Sequence, residues 1–225
     1  QSGCTIETPT SSAFIQQRSK IHHKAFEFLF HDFTTRAMSN NMRLFKGYRL
    51  LAVDGSDIQI ASNPLDYDSH IQGKEGTKPY NLLHLDAMYD LLSNTYVDAL
   101  VCKFRNMNEK GALVDMVDRA DDTNPAIVIA DRGYESYNVL AHIQEKNWKF
   151  LIRVKDFGKY SSGIIHALDL PKEDEFDFAI DLNLTYKQTN EAKELLKDKN
   201  HYKLLKSNRR FDYLPRKNRK HEPLK

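Results

Sequence analysis

The hydrophobic positions along the chain recur first at helical spacing and then at strand spacing. Between residues 13 and 38 apolar side chains return every three or four positions, which predicts one helix that Ser11 and Ser12 can cap. From residue 48 the pattern changes to short, dense apolar runs, beginning with YRLLAVDGSDIQIA. The change predicts an N-terminal helical segment over residues 1–46, followed by a domain built on a sheet over residues 47–162.

Two further apolar runs, NLLHLDAMYDLL and TYVDALVCKF, flank Ser93 and Asn94 and predict an antiparallel hairpin. After the hairpin, helical and strand patterns alternate: a helix that Asn108 can cap, the strand AIVIA, the helix SYNVLAHIQEKN and the strand WKFLIRVKD. A hairpin that continues into alternating helices and parallel strands indicates one mixed sheet with helices on its faces. The predicted class is therefore α/β.

The periodicity weakens over residues 163–225, which we interpret as part of a partly β insertion. This segment contains the strand-like FAIDLNLTY and ends in a cationic tail, in which ten lysines and arginines over residues 199–225 face only two acids. A cationic cluster suits a polyphosphate partner, although a solvated tail fits the composition equally well.

Composition excludes several classes of protein. The chain has 225 residues and is 40% hydrophobic, enough for one α/β domain with additions. Because it has neither a long apolar run nor a signal peptide, we expect no membrane segment and a cytoplasmic location. Cys4 and Cys102 match no metal or redox spacing. The chain starts without methionine and stops at HEPLK without a turn or cap, so we expect a fragment of a longer protein.

The candidate chemistry rests on two aspartates, Asp54 and Asp131. Each follows an apolar strand and precedes a glycine-containing turn. In open α/β sheets, ligands bind at the carboxyl ends of strands, and a carboxylate there is costly unless it is paired or binds a cation. For either motif alone, an ordinary turn or helix cap is the favoured interpretation. Together with the strand order, the two predict a Mg²⁺ site for phosphoryl transfer.

The blocks AVDGSDIQI and LHLDAMYDLL, and above all IADRGYES followed by FLIRVK, resemble the DDE transposases of insertion-sequence family four. The resemblance covers most of residues 11–160. It implies a ribonuclease-H-like fold with a mixed five-stranded sheet, Asp54 and Asp131 as the first two catalytic acids, and a β-rich insertion that residues 163–225 begin. It also implies two Mg²⁺ or Mn²⁺ ions in the complete active site.

The third acid of that family lies in a late Tyr-x-x-Arg-x-x-x-Glu-x-x-x-x-x-x-Lys block. Here Tyr213 and Arg216 match, but Lys220 stands at the glutamate position. We therefore expect the glutamate in a downstream part of the parent protein and expect this fragment alone to be inactive. For the bacterial parent, the resemblance implies cleavage and joining of double-stranded DNA, at element ends and target, by a nucleoid-associated homo-oligomer.

Four other residues are weaker candidates for contact with DNA. Arg153 and Lys155 lie two apart on a predicted strand, hence on one face, where they either bind phosphates or form a solvated edge. Arg132 and Tyr134 belong to the matched block and either support the acid or touch DNA, with simple packing an equal alternative for Tyr134.

Other polar residues are set aside on their positions in the predicted strands. Asp57 should point away from Asp54, whereas Asp86 and Asp98 fall within strands. His84 is read as solvent-facing or satisfied, and Trp148 as core. Two rival functions remain: a catalytically decayed DNA-binding or assembly module, and a Mg²⁺-dependent aspartyl phosphohydrolase, whose usual pair of aspartates two apart is missing.

Overall fold

The computed structural model describes residues 10–121, 124–155, 163–165, 168, 170–171, 173, 175–206 and 209–214. Cys4 and the tail from residue 215, including Arg216 and Lys220, lie outside the described residues. In chain order the helices are α1 (Ser11–Gln17), α2 (Lys24–Asn41), α3 (Glu109–Arg119), α4 (Tyr137–Glu145) and α5 (Asn190–Leu195), and the strands are β1 (Arg49–Ile60), β2 (His70–Ile71), β3 (Tyr80–Asp90), β4 (Thr95–Lys103), β5 (Ala126–Ala130), β6 (Lys149–Ile152), β7 (Asn183–Thr185) and β8 (Tyr202–Leu204).

The main sheet is mixed, as the sequence predicts. Its five longer strands follow the order β4-β3-β1-β5-β6, and the two-residue strand β2 pairs with the start of β3. β3 runs antiparallel to both β1 and β4, whereas β1, β5 and β6 run parallel. The predicted hairpin is confirmed, and the α/β class with helices on a mixed sheet is confirmed with it.

The hydrophobic core lies between one face of this sheet and the helices α3 and α4. Alternate residues of β1 and β5, such as Leu51 and Val128, are fully buried against Leu113 of α3 and Ile143 of α4. Period-two strands and period-3.6 helices place these side chains on facing surfaces. Trp148 joins the same cluster, so its predicted core role is confirmed.

The prediction of a single helix over residues 13–38 is wrong, because the helical conformation is interrupted between α1 and α2. α1 tightens into a 3₁₀ turn at Arg18–Lys20, and Ile21 is extended. α2 then begins at Lys24, whose N–H is accepted by His22 Nδ1 at 3.3 Å. Thr10 caps α1 rather than Ser11 or Ser12, since its hydroxyl accepts the Ala13 N–H. The imidazole of His22 thus accepts one of the N–H groups at the start of α2.

The last strand of the main sheet is shorter than predicted. β6 ends at Ile152, so Arg153 and Lys155 lie beyond it, and their predicted place on one strand face is wrong. The chain leaves the sheet because the Lys155 N–H donates to the buried carboxylate of Glu135 at 2.9 Å. Further along, FAIDLNLTY forms only the three residues of β7, which pair with β8 in parallel across α5.

None of the helices among the described residues combines the length and apolarity that crossing a membrane requires.

Candidate active site at the carboxyl ends of β1 and β5

Parallel pairing of β1 and β5 places Asp54 and Asp131 next to each other. The last paired residues are Val53 and Ala130, and each aspartate is the next residue in its chain. Neighbouring strands lie about 4.8 Å apart. Two acids that the sequence separates by 76 intervening residues therefore both follow directly after the last pair between β1 and β5.

One feature of the prediction for Asp54 is wrong, because its strand does not end there. β1 continues to Ile60 and stays paired with β3, with Asp54 opposite Ala87. Only the parallel partner β5 ends, at Ala130. Asp54 thus lies at the carboxyl edge of the parallel half of the sheet but in the middle of its own strand.

Both aspartates are exposed and both bind the backbone of a following glycine. Asp54 Oδ1 accepts the Gly55 N–H at 2.9 Å, and Asp131 Oδ1 accepts the Gly133 N–H at 2.6 Å. A Cβ atom built on Gly133 would lie 2.8 Å from Asp131 Oδ1. Glycine thus leaves room for this carboxylate, which a Cβ atom would force to shift.

A third carboxylate, Glu109, reaches the same place from α3. Glu109 is the first residue of that helix, whose start is fixed by Asn108, which accepts the Gly111 N–H at 3.2 Å. Its Oε1 would lie 3.0 Å from a Cβ atom on Gly55, and its Oε2 3.6 Å from one on Gly133. No sequence motif marks Glu109, although the strand order contains a signal for it. β4 ends at the same edge as β1, so the helix that follows begins there.

Next to these acids, side chains of β1 and β3 form a polar cluster around the buried His84. His84 is 3% exposed, and its Nδ1 pairs with Asp57 Oδ1 at 2.8 Å. Its Nε2 lies 3.5 Å from Asp86 Oδ1 and 3.7 Å from Glu109 Oε1. The expectation of a solvent-facing or satisfied His84 is therefore wrong, and Asp86, which was set aside as a strand residue, lies beside the candidate site.

The buried polar atoms of this group lack ordinary partners. His84 Nε2, Asp86 Oδ1 and Tyr134 Oη are three of the four buried side-chain polar atoms without a hydrogen bond in the described part of the chain. Buried polar atoms in proteins are nearly always bonded, so such a concentration indicates a functional position.

The charges of four acids act on the buried hydroxyl of Tyr134. The pKa of the Tyr134 hydroxyl is raised, first by burial and then by the charges of Asp86, Glu109, Asp54 and Asp131. Burial likewise raises the pKa of Asp86, with His84 and Tyr134 acting in the opposite direction. Burial acts to lower the pKa of His84, but the hydrogen bond with Asp57 and the nearby acids raise it overall.

The basic candidates lie around this cluster in different environments. Arg132 and Arg153 are exposed. Lys155 contacts the buried Glu135, with Nζ 3.8 Å from Oε1, and the half-buried Lys110 donates to the Glu135 carbonyl at 2.9 Å. The pKa of Lys110 is lowered by burial and by the charges of Lys155 and Arg209, which shows that several cations gather here.

Tyr134 is 1% exposed and belongs to the hydrophobic core. Contact with DNA does not fit such burial, whereas the packing alternative does.

The donor set fits Mg²⁺ in its chemistry. Mg²⁺ typically takes one or two carboxylates and completes its shell with water and substrate phosphates, and Asp54 and Asp131 each keep one oxygen free of the glycine contact. Among the residues that the structure describes, no three His, Cys, Asp or Glu side chains are arranged to hold one ion. The fit therefore extends to pairs of carboxylates and no further.

The family model described as transposase DDE domain matches residues 45–222, well over half of the chain. The matched range contains the whole main sheet and the three carboxylates Asp54, Glu109 and Asp131. The search of curated proteins found no match.

Proposed function

Since the chain belongs to the transposase DDE domain family, we propose that Asp54 and Asp131 are catalytic carboxylates for cutting and joining DNA strands by metal-dependent phosphodiester transfer. The family consists of DNA transposases, which generally use divalent metal ions. The finer assignment that we propose is to the bacterial insertion-sequence family four, on the DGS and DRGY blocks.

The observation that carries the proposal is the placement of Asp54 and Asp131 one residue beyond the paired Val53 and Ala130. Both charges also act on the same buried Tyr134 hydroxyl. A role in starting turns would not by itself explain why the two acids lie on adjacent strands.

In this proposal Asp54 and Asp131 hold two Mg²⁺ or Mn²⁺ ions in the complete site. Bound cations of this kind activate an attacking oxygen and stabilise the leaving oxygen of an in-line displacement. The exposed Arg132 and Arg153, together with Lys155, bind backbone phosphates of double-stranded DNA, and Tyr134 supports Asp131 from the core.

The proposal extends to the organisation of the chain. Residues 47–162 form the catalytic core, 1–46 an N-terminal helical segment, and 163–225 part of an insertion. The protein is proposed to act on element ends and target DNA as a homo-oligomer.

The test uses Asp54→Asn and Asp131→Asn, with Asp181→Asn as an exposed control away from the site. Each site variant should weaken Mn²⁺ binding by about tenfold or more, since removing even a supporting group costs that much. Mn²⁺ binding is measured by electron paramagnetic resonance, and nicking of supercoiled plasmid in Mn²⁺ is measured beside it. Unchanged Mn²⁺ affinity in both site variants would overturn the proposal.

The two rival functions predict different results. In a decayed DNA-binding module the two substitutions would leave plasmid binding intact and Mn²⁺ binding absent throughout. An aspartyl phosphohydrolase would need a second aspartate beside Asp54, but the nearest in sequence, Asp57, is paired with His84 on the opposite face of β1.

A further inference from the structure

We propose that Glu109 is a further carboxylate of this site, that it binds a divalent cation together with Asp131, and that His84 positions it. The inference rests on the proposed function, because it concerns the same cation chemistry. It adds a ligand that lies within this chain and outside the four sequence blocks that carry the family resemblance.

The first step is that Glu109 and Asp131 face the same space. A Cβ atom on Gly133 would lie 2.8 Å from Asp131 Oδ1 and 3.6 Å from Glu109 Oε2, so both carboxylates border the volume that the glycine leaves empty. Strand alternation puts Gly55 and Asp54 on opposite faces of β1, and Glu109 lies on the Gly55 side. Glu109 is therefore a partner for Asp131 rather than for Asp54.

The second step is that the fixed side chain of His84 lies next to Glu109 and Asp86. His84 is buried, its Nδ1 is bound to Asp57, and its unpartnered Nε2 lies 3.7 Å from Glu109 Oε1. A Cβ atom on Gly55 would lie 2.8 Å from this nitrogen, so glycine is needed for the ring to reach Glu109. With Oε1 facing the imidazole, Oε2 faces Gly133 and Asp131.

The third step is the charge of the surroundings. The nearby Lys155 pairs with Glu135, with Nζ 3.8 Å from Oε1, rather than with Asp131 or Glu109. Lys110, the next residue after Glu109, directs its Nζ to the Glu135 carbonyl at 2.9 Å. Two carboxylates that share a space repel each other unless a proton or a cation lies between them. Two carboxylates with water also make an ordinary Mg²⁺ or Mn²⁺ site.

The test measures Mn²⁺ binding to the full chain by electron paramagnetic resonance. Glu109→Gln should weaken binding by about 10- to 100-fold, and His84→Gln by about tenfold, because a group that orients a ligand costs that much when removed. The matched control is Glu191→Gln. Like Glu109, Glu191 is an acid in the first turn of a helix, here α5, and it is exposed, so it reports any general effect of losing a helix-terminal charge.

Two further measurements separate ligation from structure. Water labelled with ¹⁷O counts the waters on bound Mn²⁺, and the count should rise in Glu109→Gln, because water takes the place of the lost oxygen. Glu109→Asp, which keeps the charge on a shorter side chain, should bind Mn²⁺ with an affinity between wild type and Glu109→Gln. It also serves if Glu109→Gln does not fold.

The outcomes distinguish this inference from the proposed function. If Asp131→Asn weakens Mn²⁺ binding while Glu109→Gln and Glu109→Asp match wild type, Glu109 is not a ligand and the proposed function stands. If none of these substitutions changes the affinity, both are wrong. An unchanged water count in a weakened Glu109→Gln variant would also overturn direct ligation.

Discussion

The carboxylates at the two ends of the main sheet differ in whether an arginine pairs with them. Toward the end where β1 begins, each buried acid has an arginine: Asp90 Oδ2 accepts from Arg49 Nε at 3.0 Å, and Asp98 Oδ2 accepts from Arg119 Nε at 2.6 Å. Asp90 Oδ1 also accepts the N–H groups of Leu92 and Ser93, which closes the hairpin turn.

At the other end, where β5 stops, four acids lie near the buried Tyr134 instead. Asp54, Asp86, Glu109 and Asp131 all act on Tyr134, and among the described residues the side chain that lies within 4 Å of two of them is the imidazole of His84, not an arginine. Buried or crowded carboxylates without counter-charges lower stability, so their persistence indicates a task other than folding. The contrast teaches that pairing with arginine, rather than burial alone, separates structural acids from candidate functional ones.

The largest expected effect comes from removing a charge at the paired end. Asp90→Asn keeps an oxygen for the turn but removes the carboxylate charge that pairs with the mostly buried Arg49. We expect the free energy of unfolding to fall by about 3 kcal/mol, the usual cost of breaking a buried pair. Urea unfolding at pH 7 measures it. Asp32→Asn, in an exposed pair with Arg36, is the control and should cost less than about 0.5 kcal/mol. Equal losses in the free energy of unfolding for Asp90→Asn and Asp32→Asn would show that the buried pair is no more stabilising than the exposed one.

The same substitution at the unpaired end should have the opposite sign. Asp86→Asn should raise the free energy of unfolding by about 1 kcal/mol at pH 7 without metal, since it removes a buried charge that the fold disfavours. Because the folded pKa of Asp86 is raised, protonation stabilises the fold. That contribution is complete below the unfolded value of 3.8 and is lost as pH rises through the folded pKa. The advantage of Asp86→Asn should therefore vanish at pH 3.

A loss of stability in Asp86→Asn at pH 7 would show that the carboxylate is structurally required, and the two ends of the sheet would then be alike. Asp68→Asn, an exposed aspartate before β2, should change the free energy of unfolding little and controls for a general effect of net charge.

The sheet and the meeting of Asp54 with Asp131 follow from local signals. AIVIA and YRLLAV are dense apolar runs, and the helical pattern between the hairpin and AIVIA makes β1 and β5 parallel. Once two strands run parallel with their apolar residues paired, the acids that end those runs have to be neighbours. No long-range contact has to be known in advance.

The rest of the site depends on which face of the sheet is covered, and a single strand does not reveal that. His84 alternates with Leu83 and Leu85, so the pattern alone leaves either set buried. The structure puts α3 over the His84 face, which buries His84 and Asp86 and brings Glu109 to them. The early end of β6 also involves a distant residue, because the Lys155 N–H donates to the side chain of Glu135, 20 residues earlier in the chain.

The smallest expected effect tests whether an acid outside the main sheet that pairs with arginine also stabilises the fold. Asp212 joins the segment 209–214 to α4: it pairs with Arg210 at 2.7 Å, and it also contacts Asn138 and His142. The hydrogen bond from Arg210 lowers the pKa of Asp212 to about 2, against burial, and Asn138 and His142 add to the lowering. By its partners, Asp212 belongs with Asp90 and Asp98 rather than with Asp86.

Asp212→Asn should therefore lower the free energy of unfolding at pH 7, by about 0.5 to 1 kcal/mol because the pair is partly exposed. A lowered folded pKa gives stability that is present above the unfolded value of 3.8 and lost as pH falls through about 2. Roughly half of the difference should remain at pH 3. Urea unfolding at the two pH values measures it, with the exposed Asp177→Asn as the control. A difference that grows on acidification, as expected for a raised pKa, would place Asp212 with the unpaired acids and break the rule.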